Sequence, residues 1–270
     1  MVICTQPLVA IFMVTYNHEN YIEKAVESIV SQFTTFKYTL FIAEDCSTDN
    51  TRKICIELNQ KYPAKIHLVL NSTNMGDLAN SRKLLNICCQ SGARYITLCE
   101  GDDYWTDPYK LQKQVDFLEI NQKYTFCCTN IMVIDEIGDE QLNAWPNKST
   151  SFSINKRSLG LNLPVPTCSL LFRVDSVLRV KGILKEISKY ELADYFLKSW
   201  LLTQGKGHFF EEKMAVYRQH GGGIYTQMTE RKRLKRLKKA RAQLLVFCIR
   251  KGYLFSAFIC LKNMLFYPNF

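Results

Sequence analysis

The sequence lacks the short motifs that mark several classes of nucleotide- and metal-binding enzyme. No GxGxxG or GxxxxGK[ST] occurs, and "TYNHEN" (15–20), which follows the first apolar run, contains no glycine. These absences exclude a dinucleotide-binding fingerprint and a P-loop. HExxH and CxxC are also absent, which argues against a zinc-protease helix and a structural zinc site. A nucleotide or metal site must therefore be built from other residues.

A long hydrophobic run and a secretory leader are missing as well. No uninterrupted apolar run reaches the roughly 18–20 residues that a membrane-spanning helix needs. The opening "MVICTQPLVAIFMVTYN" has no basic start and reaches Tyr16 and Asn17 too early for a signal peptide. The eleven cysteines are odd in number and mostly lie in apolar runs, as buried thiols do in a reducing compartment. We expect a cytoplasmic protein.

Negative charge is absent from one basic segment. Between Arg231 and Arg241, "RKRLKRLKKAR" holds eight Lys/Arg and no acid. These eight cations account for most of the formal net charge of +10, so the rest of the chain is nearly neutral. A basic run without interleaved aromatic residues on a nearly neutral body does not indicate a nucleic-acid binder.

Apolar, β-branched runs alternate with segments of helical spacing through residues 1–121. Strands are predicted at 8–17, 38–45, 65–71 and 94–103, and helices at 20–32, 50–62, 78–90 and 107–121. This alternation is typical of βαβ units, whose strands are buried on both faces. The prediction is an α/β fold with a mainly parallel sheet flanked by helices.

The pattern loosens after residue 121. Strands are predicted at 124–135 and 167–174, a helix at 191–204, and a hairpin or strand at 208–219. We therefore predict one domain at 1–222 with two halves, 1–121 and 122–222. A C-terminal helical extension follows at 223–270.

Each of the first four predicted strands ends in polar or acidic residues. They are Thr15, Tyr16, Asn17, His18, Glu44, Asp45, Asn71, Glu100, Asp102 and Asp103. Solvent exposure explains any single polar strand end, and a solvated turn explains part of the acidic cluster before the helix at 107. Ligands of open parallel sheets bind at this carboxyl edge, however, and five carboxylates gathered there favour a site. Carboxylates suit Mg²⁺ or Mn²⁺, which typically bridge a protein to substrate phosphates, so a metal carrying a diphosphate is predicted.

Four stretches together resemble the family-2 glycosyltransferases, the inverting enzymes of the Rossmann-like GT-A fold. They are "FMVTYNHENYIEKAVESIVSQ", "IAEDCSTDNT", "NMGDLANSRKLL" and "YITLCEGDDYWTDPYKLQKQVDFL". The resemblance covers about 1–220 and is closest to the bacterial members that build capsule, O-antigen or exopolysaccharide. It implies transfer of a sugar from a nucleotide-diphosphate donor, with UDP favoured, to a glycan or lipid-linked acceptor.

The resemblance also implies roles for individual residues at the strand ends. The donor-binding residues would be Thr15, Tyr16, Asn17, Glu44, Asp45, Gly76, Arg82, Glu100 and Asp102. In the DxD-like "EGDD", Asp102 would contact the ribose or the metal and Asp103 would bind the metal. His220 in "YRQHGGG" would be a third metal ligand or a diphosphate contact, and Arg218 would neutralise phosphate.

An inverting transferase needs a base that takes the proton of the acceptor hydroxyl. By the same resemblance this base is Asp194 in "YELADYFLKSW", with Glu191 one turn earlier. The alternative for Asp194 is an ordinary acid stabilised by a helix N-terminus. Trp105 either stacks on the acceptor sugar or packs in the core.

Residues 228–266 combine a basic helix with a strongly apolar stretch broken by Arg250, Lys251 and Lys262. A basic amphipathic helix can lie in the headgroup layer of an anionic leaflet. This predicts peripheral association with the inner face of the plasma membrane, where lipid-linked acceptors of such transferases are found. The alternative is a helix that covers the catalytic domain with its apolar face or forms a homodimer contact.

Two rival functions stay open at this point. A sugar-nucleotidyltransferase uses a related sheet, but it needs a glycine-rich basic loop where this chain has "TYNHEN". A non-catalytic, membrane-associated scaffold would bind the nucleotide without turnover.

Overall fold

The computed structural model describes residues 7–141, 149–161, 163, 165–179, 182–187, 189–190, 192–223 and 226–266. Glu191, the acid expected one turn before Asp194, lies outside these residues, as does part of the loop-rich stretch 136–165.

Strands and helices alternate through the first half of the chain, as predicted. In the described residues the strands are β1 (Val9–Thr15), β2 (Tyr38–Glu44), β3 (Ile66–Leu70), β4 (Tyr95–Leu98), β5 (Tyr104–Trp105), β6 (Tyr124–Ile134), β7 (Phe152–Ile154), β8 (Leu171–Arg173) and β9 (Lys206–Arg218). The α-helices there are α1 (Ile22–Val30), α2 (Thr51–Lys61), α3 (Asp77–Gln90), α4 (Lys110–Ile120), α5 (Val174–Leu178), α6 (Ile183–Ile187), α7 (Ala193–Gln204), α8 (Glu230–Arg250) and α9 (Leu254–Phe266). The segment predicted as a hairpin or strand at 208–219 belongs to the single strand β9.

One sheet runs through the molecule in the strand order β3-β2-β1-β4-β8-β6-β9-β5, with β7 pairing beside β9. The neighbours β3, β2, β1 and β4 are parallel, whereas β8 is antiparallel to both β4 and β6. Strand β9 returns parallel to β6 and ends beside the acidic turn that follows β4, where β5 pairs with it antiparallel. The parallel half is therefore the part that the helix–strand alternation predicted.

The carboxyl ends of the parallel strands meet at one edge, as the strand pattern predicted. Thr15 at the end of β1 pairs with Glu44 at the end of β2, and Glu44 pairs with Leu70 at the end of β3. Strand β1 is almost wholly buried, because helices cover the sheet on both faces. A rigid, buried frame thus holds the polar residues that follow each strand.

The C-terminal helices share a hydrophobic core with the rest of the described structure. The ring of Phe247 on α8 lies 4.9 Å from that of Phe196 and 5.7 Å from that of Trp200, both on α7. On α9, the buried Asn263 amide donates to the carbonyls of Arg157 and Leu159 at 2.8 and 2.7 Å. The inner apolar face of the basic helix therefore packs on the protein, and α8 and α9 contribute to the same core as α7 and the sheet.

Phe247→Ala is expected to lower the free energy of unfolding by about 3–5 kcal/mol, the usual cost of emptying a buried aromatic site. The measurement is denaturant unfolding followed by circular dichroism. The neighbouring Val246→Ala is the control, because Val246 is exposed on the outer face of the same helix. Equal, small effects of both variants would mean that α8 does not stabilise the domain.

None of the helices in the described part of the chain is both long enough and apolar enough to cross a membrane.

Candidate active site

The acidic turn after β4 lies directly against the end of β1. A Cβ atom at Gly101 would stand 2.6 Å from Thr15 Oγ1 and 3.0 Å from His18 Nδ1, so only glycine allows this approach. The Gly101 N–H donates to the carbonyl of Val14 at 3.0 Å, which fixes the turn to the strand. Thr15 therefore acts as a wall of the site through packing, and it brings His18 beside Asp102.

Among the described residues, one group of side chains could hold a metal ion. It consists of His18, Asp102 and His220, and we call it the metal-binding candidate. One ligand atom from each lies within 4.8 Å of the others. Asp102 Oδ2 is 3.0 Å from His220 Nε2 and 3.7 Å from His18 Nε2. The three residues follow β1, β4 and β9, so the sheet edge assembles them from distant parts of the sequence. Asp102 and His220 were predicted as ligands, whereas His18 was not.

The pKa shifts of His18 and Asp102 suit metal binding. Burial is the largest influence on the pKa of His18 and lowers it, although the Asp102 carboxylate opposes this. A lowered pKa keeps the imidazole neutral near pH 7, which is the form that binds metals. Burial alone would raise the pKa of Asp102, but the contacts with His220 and His18 outweigh it, and the pKa lies below its usual value.

The ligand atoms of this cluster, two imidazole nitrogens and one carboxylate oxygen, also suit a divalent cation. Thr15 Oγ1 lies 3.2 Å from His18 Nδ1 and orients the ring so that Nε2 faces Asp102. Two imidazoles and one carboxylate suit Mn²⁺ better than Mg²⁺, because Mg²⁺ prefers oxygen ligands alone.

Asp103, which was expected to bind the metal, holds β9 to the acidic turn. Its side chain is buried, and Oδ1 accepts the backbone N–H of Arg218 at 2.9 Å. Burial, followed by the charges of Asp102 and Glu100, raises the pKa of Asp103 well above its usual value. Its Oδ1 is thus engaged by β9, and Asp103 stands outside the group of His18, Asp102 and His220, so its role as a metal ligand stays a prediction.

Arg218 brings a fixed positive charge to the same edge. Its Nε donates to the carbonyl of Asp102 at 2.9 Å. The guanidinium lies over the rings of Tyr21 and Tyr104, at 4.8 and 5.2 Å from their centroids. This sandwich positions the cation beside the metal-binding candidate, where phosphate binding was predicted for it.

The loops after β1 and β2 are tied together at the predicted nucleoside site. Asn17 adopts a left-handed backbone with φ of 55°, and its Oδ1 accepts the N–H of Thr48 at 2.9 Å. The Asn17 N–H donates to Ser47 Oγ at 3.0 Å. Tyr16, the residue between Thr15 and Asn17, exposes its side chain at this edge. Asn17 therefore provides a backbone held by hydrogen bonds, and Tyr16 provides an exposed aromatic ring beside it.

Asp45 positions the glycine at the start of α3. Its two carboxylate oxygens accept the backbone N–H groups of Met75 and Gly76, each at 2.9 Å. Gly76 has a φ of +79°, a conformation that strongly favours glycine, and it comes directly before α3. Arg82 lies exposed on α3. The predicted donor residues Asp45 and Gly76 are thus in mutual contact.

Glu44, predicted as a donor contact, is committed to the protein itself. Its side chain is fully buried and forms an ion pair with Arg52 through Oε2, while Oε1 accepts the N–H of Ser47 at 2.6 Å. Both oxygens of Glu44 have partners within the chain, as those of Asp45 do, so Glu44 stabilises the loop after β2 and its donor contact stays a prediction.

Asp194 lies in the first turn of α7, with Lys198 one turn further on. Asp194 Oδ2 is 2.9 Å from Lys198 Nζ, and Nζ donates to Thr167 Oγ1 at 2.8 Å. The Asp194 side chain is 47% exposed, whereas that of Lys198 is only 8% exposed. The carboxylate is therefore open to solvent, while the ammonium group is buried behind it. Sequence reasoning missed Lys198, although the i, i+4 spacing of "DYFLK" was a usable signal.

Glu100 links this pair to the metal-binding candidate. Burial, and then the charge of Asp102, raises the pKa of Glu100 to about 7, while Lys198 opposes the rise and Asp194 adds to it. Desolvation by the surrounding protein would also raise the pKa of Asp194, but Lys198 outweighs it and the pKa lies below its usual value. Asp194 is thus a charged carboxylate, and Glu100 lies within electrostatic reach of both groups.

Trp105 is a core residue. It is buried, its Nε1 donates to the carbonyl of Cys168 at 2.9 Å, and Lys110 Nζ lies 4.1 Å from the ring centroid. This settles the alternative left open for Trp105 in favour of core packing, and no aromatic face of Trp105 remains for an acceptor sugar.

Solved structures of glycosyltransferases have the same fold. One is TarS of S. aureus, residues 1–349, in complex with UDP-GlcNAc: the TM-score is 0.64 at 16% identity, covering 88% of this chain and 66% of that one. Another is the mannosyltransferase PcManGT from Pyrobaculum calidifontis in complex with GDP-Man and Mn²⁺: the TM-score is 0.62 at 13% identity, covering 97% and 75%. At these identities the likeness shows the fold alone, which is GT-A.

Curated relatives share the sequence over most of this chain. The dTDP-rhamnosyl transferase RfbG of Shigella flexneri is 26% identical over 77% of this chain and 71% of its own length. Proteins of Mycobacterium tuberculosis and Mycobacterium bovis are 33% identical over 80% of this chain, which spans 60% of their length. The family described as "Glycosyl transferase family 2" matches residues 10–179, more than half of the chain. The chain therefore belongs to the family-2 glycosyltransferases.

Proposed function

We propose that this transferase moves a sugar, with inversion, from a nucleotide-diphosphate donor to a glycan or a lipid-linked acceptor in surface polysaccharide synthesis. The observation that carries the proposal is that two groups of charged side chains both act on Glu100. One is the cation-site candidate of His18, Asp102 and His220 beside Arg218, and the other is the exposed carboxylate of Asp194 with Lys198. An inverting transfer needs both a charge-neutralising site for the diphosphate and a separate base.

The donor end of the cleft is proposed at the loops after β1 and β2. Tyr16 offers an exposed ring, and Asn17, Asp45 and Gly76 form the rigid floor beside it. We favour a UDP-sugar. TarS has a structure with UDP-GlcNAc, PcManGT has one with GDP-Man, and RfbG is named for dTDP-rhamnose, so all three bases belong in the test.

A divalent cation, with Mn²⁺ favoured, is proposed at His18, Asp102 and His220. Bound there, it would supply positive charge to the leaving diphosphate. Arg218 adds a second, permanent positive charge from the protein, held in place by the rings of Tyr21 and Tyr104. The PcManGT complex with Mn²⁺ supports a metal in a transferase of the same fold.

Asp194 is proposed as the base. Its exposed oxygen takes the proton of the acceptor hydroxyl as that oxygen attacks the anomeric carbon and the bond to the diphosphate breaks. Lys198 keeps the carboxylate charged before the reaction and holds it at the cleft wall together with Thr167.

Thermal unfolding across UDP-, GDP- and dTDP-sugars, with and without Mn²⁺ or Mg²⁺, tests the donor proposal. A ligand present at about 100 times its Kd stabilises the folded state by about 2.7 kcal/mol, which raises Tm measurably. We expect one nucleotide series to stabilise the protein, and Mn²⁺ to increase the effect more than Mg²⁺. A panel without any shift would contradict donor binding.

Lys198→Met is expected to raise the pKa of Asp194. Desolvation is the largest influence and raises this pKa, and the ammonium group is the main side chain that lowers it. The base is active only above its pKa, so the acidic limb of the activity profile should move to higher pH. The measurement is a ¹³C titration of labelled Asp carboxyls, with the Asp194 signal identified by its loss in Asp194→Asn.

The matched control is Lys198→Arg, which keeps the positive charge and should leave the titration near that of the wild type. An unchanged Asp194 titration in Lys198→Met would show that the ion pair does not set the charge of the base.

The location of the reaction is also a proposal. We place it at the cytoplasmic face of the plasma membrane, with the protein held peripherally through residues 228–266. The basic composition of this segment and its exposed apolar side chains support the assignment.

A further inference from the structure

The outer surface of the two C-terminal helices exposes an unusual amount of apolar side chain. The apolar strip, as we call it, consists of Val246, Ile249, Leu254, Phe255, Phe258, Leu261, Leu265 and Phe266. Each of these side chains is between 44% and 71% exposed. Leu254, Phe258, Leu261 and Leu265 recur at helical spacing and so lie on one face of α9. Contiguous exposed patches of large apolar residues mark interaction sites in soluble proteins.

A group of positively charged side chains lies next to the apolar strip on the outer face of α8. The basic patch consists of the exposed residues Arg231, Lys232, Lys235, Lys238 and Lys239. Lys235, Lys238 and Val246 share one helix face, so the patch leads directly into the strip. Residues 226–266 contain eleven Lys/Arg and one acid, Glu230.

The inner faces of both helices are already used. Leu244, Phe247 and Cys248 of α8, and Ala257 and Cys260 of α9, are buried in the core shared with α7. The apolar face of the basic helix, which the sequence offered for membrane docking, therefore packs on the protein. Any external partner meets the outward face instead.

We propose that the apolar strip and the basic patch dock together on an anionic lipid bilayer. The side chains of α9 enter the boundary between headgroups and acyl chains, and the cations of α8 meet the anionic headgroups. This inference deepens the proposed function, and it rests on that function only for the lipid-linked nature of the acceptor.

Charge complementarity favours a bilayer over a second copy of the chain. A two-fold dimer through this surface either brings the two basic patches together or sets each basic patch on the partner's apolar strip, where the cations lose water without gaining an anionic partner. Like charges facing each other oppose association. An anionic leaflet matches both parts of the surface, since it offers negative headgroups next to hydrocarbon.

Co-sedimentation of the full chain with vesicles tests the proposal. We expect binding to vesicles of phosphatidylcholine and phosphatidylglycerol, weaker binding to phosphatidylcholine alone, and a loss of the difference at high salt. The triple variant Phe255→Ser/Phe258→Ser/Leu261→Ser should bind at least tenfold more weakly. Lys235→Gln/Lys238→Gln should lose most of the preference for the anionic vesicles.

The matched control is Ile120→Ser/Ile137→Ser. These side chains are 81% and 83% exposed but lie elsewhere on the surface, so their loss should leave vesicle binding unchanged. Leu254→Ser/Leu265→Ser provides a second strip variant should the triple variant fold poorly, as judged by circular dichroism.

Three outcomes of these experiments would overturn the proposal. If both strip variants bound vesicles as well as the wild type does, the apolar strip would not be part of the docking surface. A protein that ignores vesicles and sediments as a dimer, which Phe258→Ser dissociates, would assign the surface to a second copy. A monomer that ignores vesicles would leave the surface without the proposed partner. Donor-induced stabilisation, measured on the same samples, shows separately whether the proposed function stands.

Discussion

Asp194→Asn is expected to lower turnover by about 10²- to 10⁴-fold, the usual contribution of a general base, while donor binding stays intact. The amide has the size of the carboxylate but cannot take the acceptor proton. Lys198 keeps Thr167 Oγ1 as a partner at 2.8 Å, so the local structure should survive the substitution. The measurements are transfer or donor hydrolysis with the nucleotide sugar that stabilises the protein, and the thermal shift that this donor produces.

Asp175→Asn is the matched control for the helix-terminus alternative. Asp175 is an exposed acid in the first turn of α5, as Asp194 is in α7, but it does not belong to the site. If Asp194 were only a helix-terminus acid, both variants would keep their activity. Glu100→Gln, assayed in parallel, covers the neighbouring carboxyl. Full turnover in Asp194→Asn with loss in Glu100→Gln would transfer the role of base to Glu100.

The first half of the fold was predictable because its strands are buried on both faces. Such strands are continuous apolar runs, and the helices between them show helical spacing, so each element and its carboxyl end can be read along the chain. Strand ends at one edge then identify Asp102 without knowledge of any side-chain direction. His220 follows a strand of the mixed half, and the resemblance to a family, not the pattern, indicated it.

The choice between neighbouring residues was not predictable. Asp102 and Asp103 are adjacent, yet one faces His18 and His220 while the other accepts the Arg218 N–H. That difference depends on the path of a tight turn, which Gly101 allows to press against Thr15. Sequence periodicity carries no information on such single-residue directions outside regular elements.

The C-terminal helices show a related limit. The amphipathic pattern of α8 correctly indicates that one face is covered, but it does not reveal what covers it. The structure gives that face to α7 through Phe247 and leaves a second, outward face with both charge and apolar side chains. A pattern of one segment cannot distinguish a membrane from the protein's own core, because both are apolar.

Loss of the cation site is the second substitution effect that we expect to be large. Asp102→Asn should weaken Mn²⁺ binding by about 100-fold or more, since it replaces the only carboxylate of the group by a neutral amide. Removal of the metal from the wild-type protein with a chelator should reduce donor binding and turnover, and added Mn²⁺ should restore both. In the variant, Mn²⁺ should restore neither. Free Mn²⁺, followed by its electron paramagnetic resonance signal, reports binding without any need for activity.

His18→Ala distinguishes the cluster found in the structure from the one that the sequence implied. A site made of Asp102, Asp103 and His220 would keep its Mn²⁺ affinity in this variant, whereas the site built on His18 would lose it. His67→Ala is the control, because His67 is exposed on β3, away from this cluster, and its loss should leave Mn²⁺ binding unchanged. Asp103→Asn completes the comparison: Asp103 accepts a backbone N–H and lies outside the group of His18, Asp102 and His220, so the variant should still bind Mn²⁺. Strong loss in Asp103→Asn with full binding in His18→Ala would return the metal to the acidic pair, and our assignment of the ligands would be wrong.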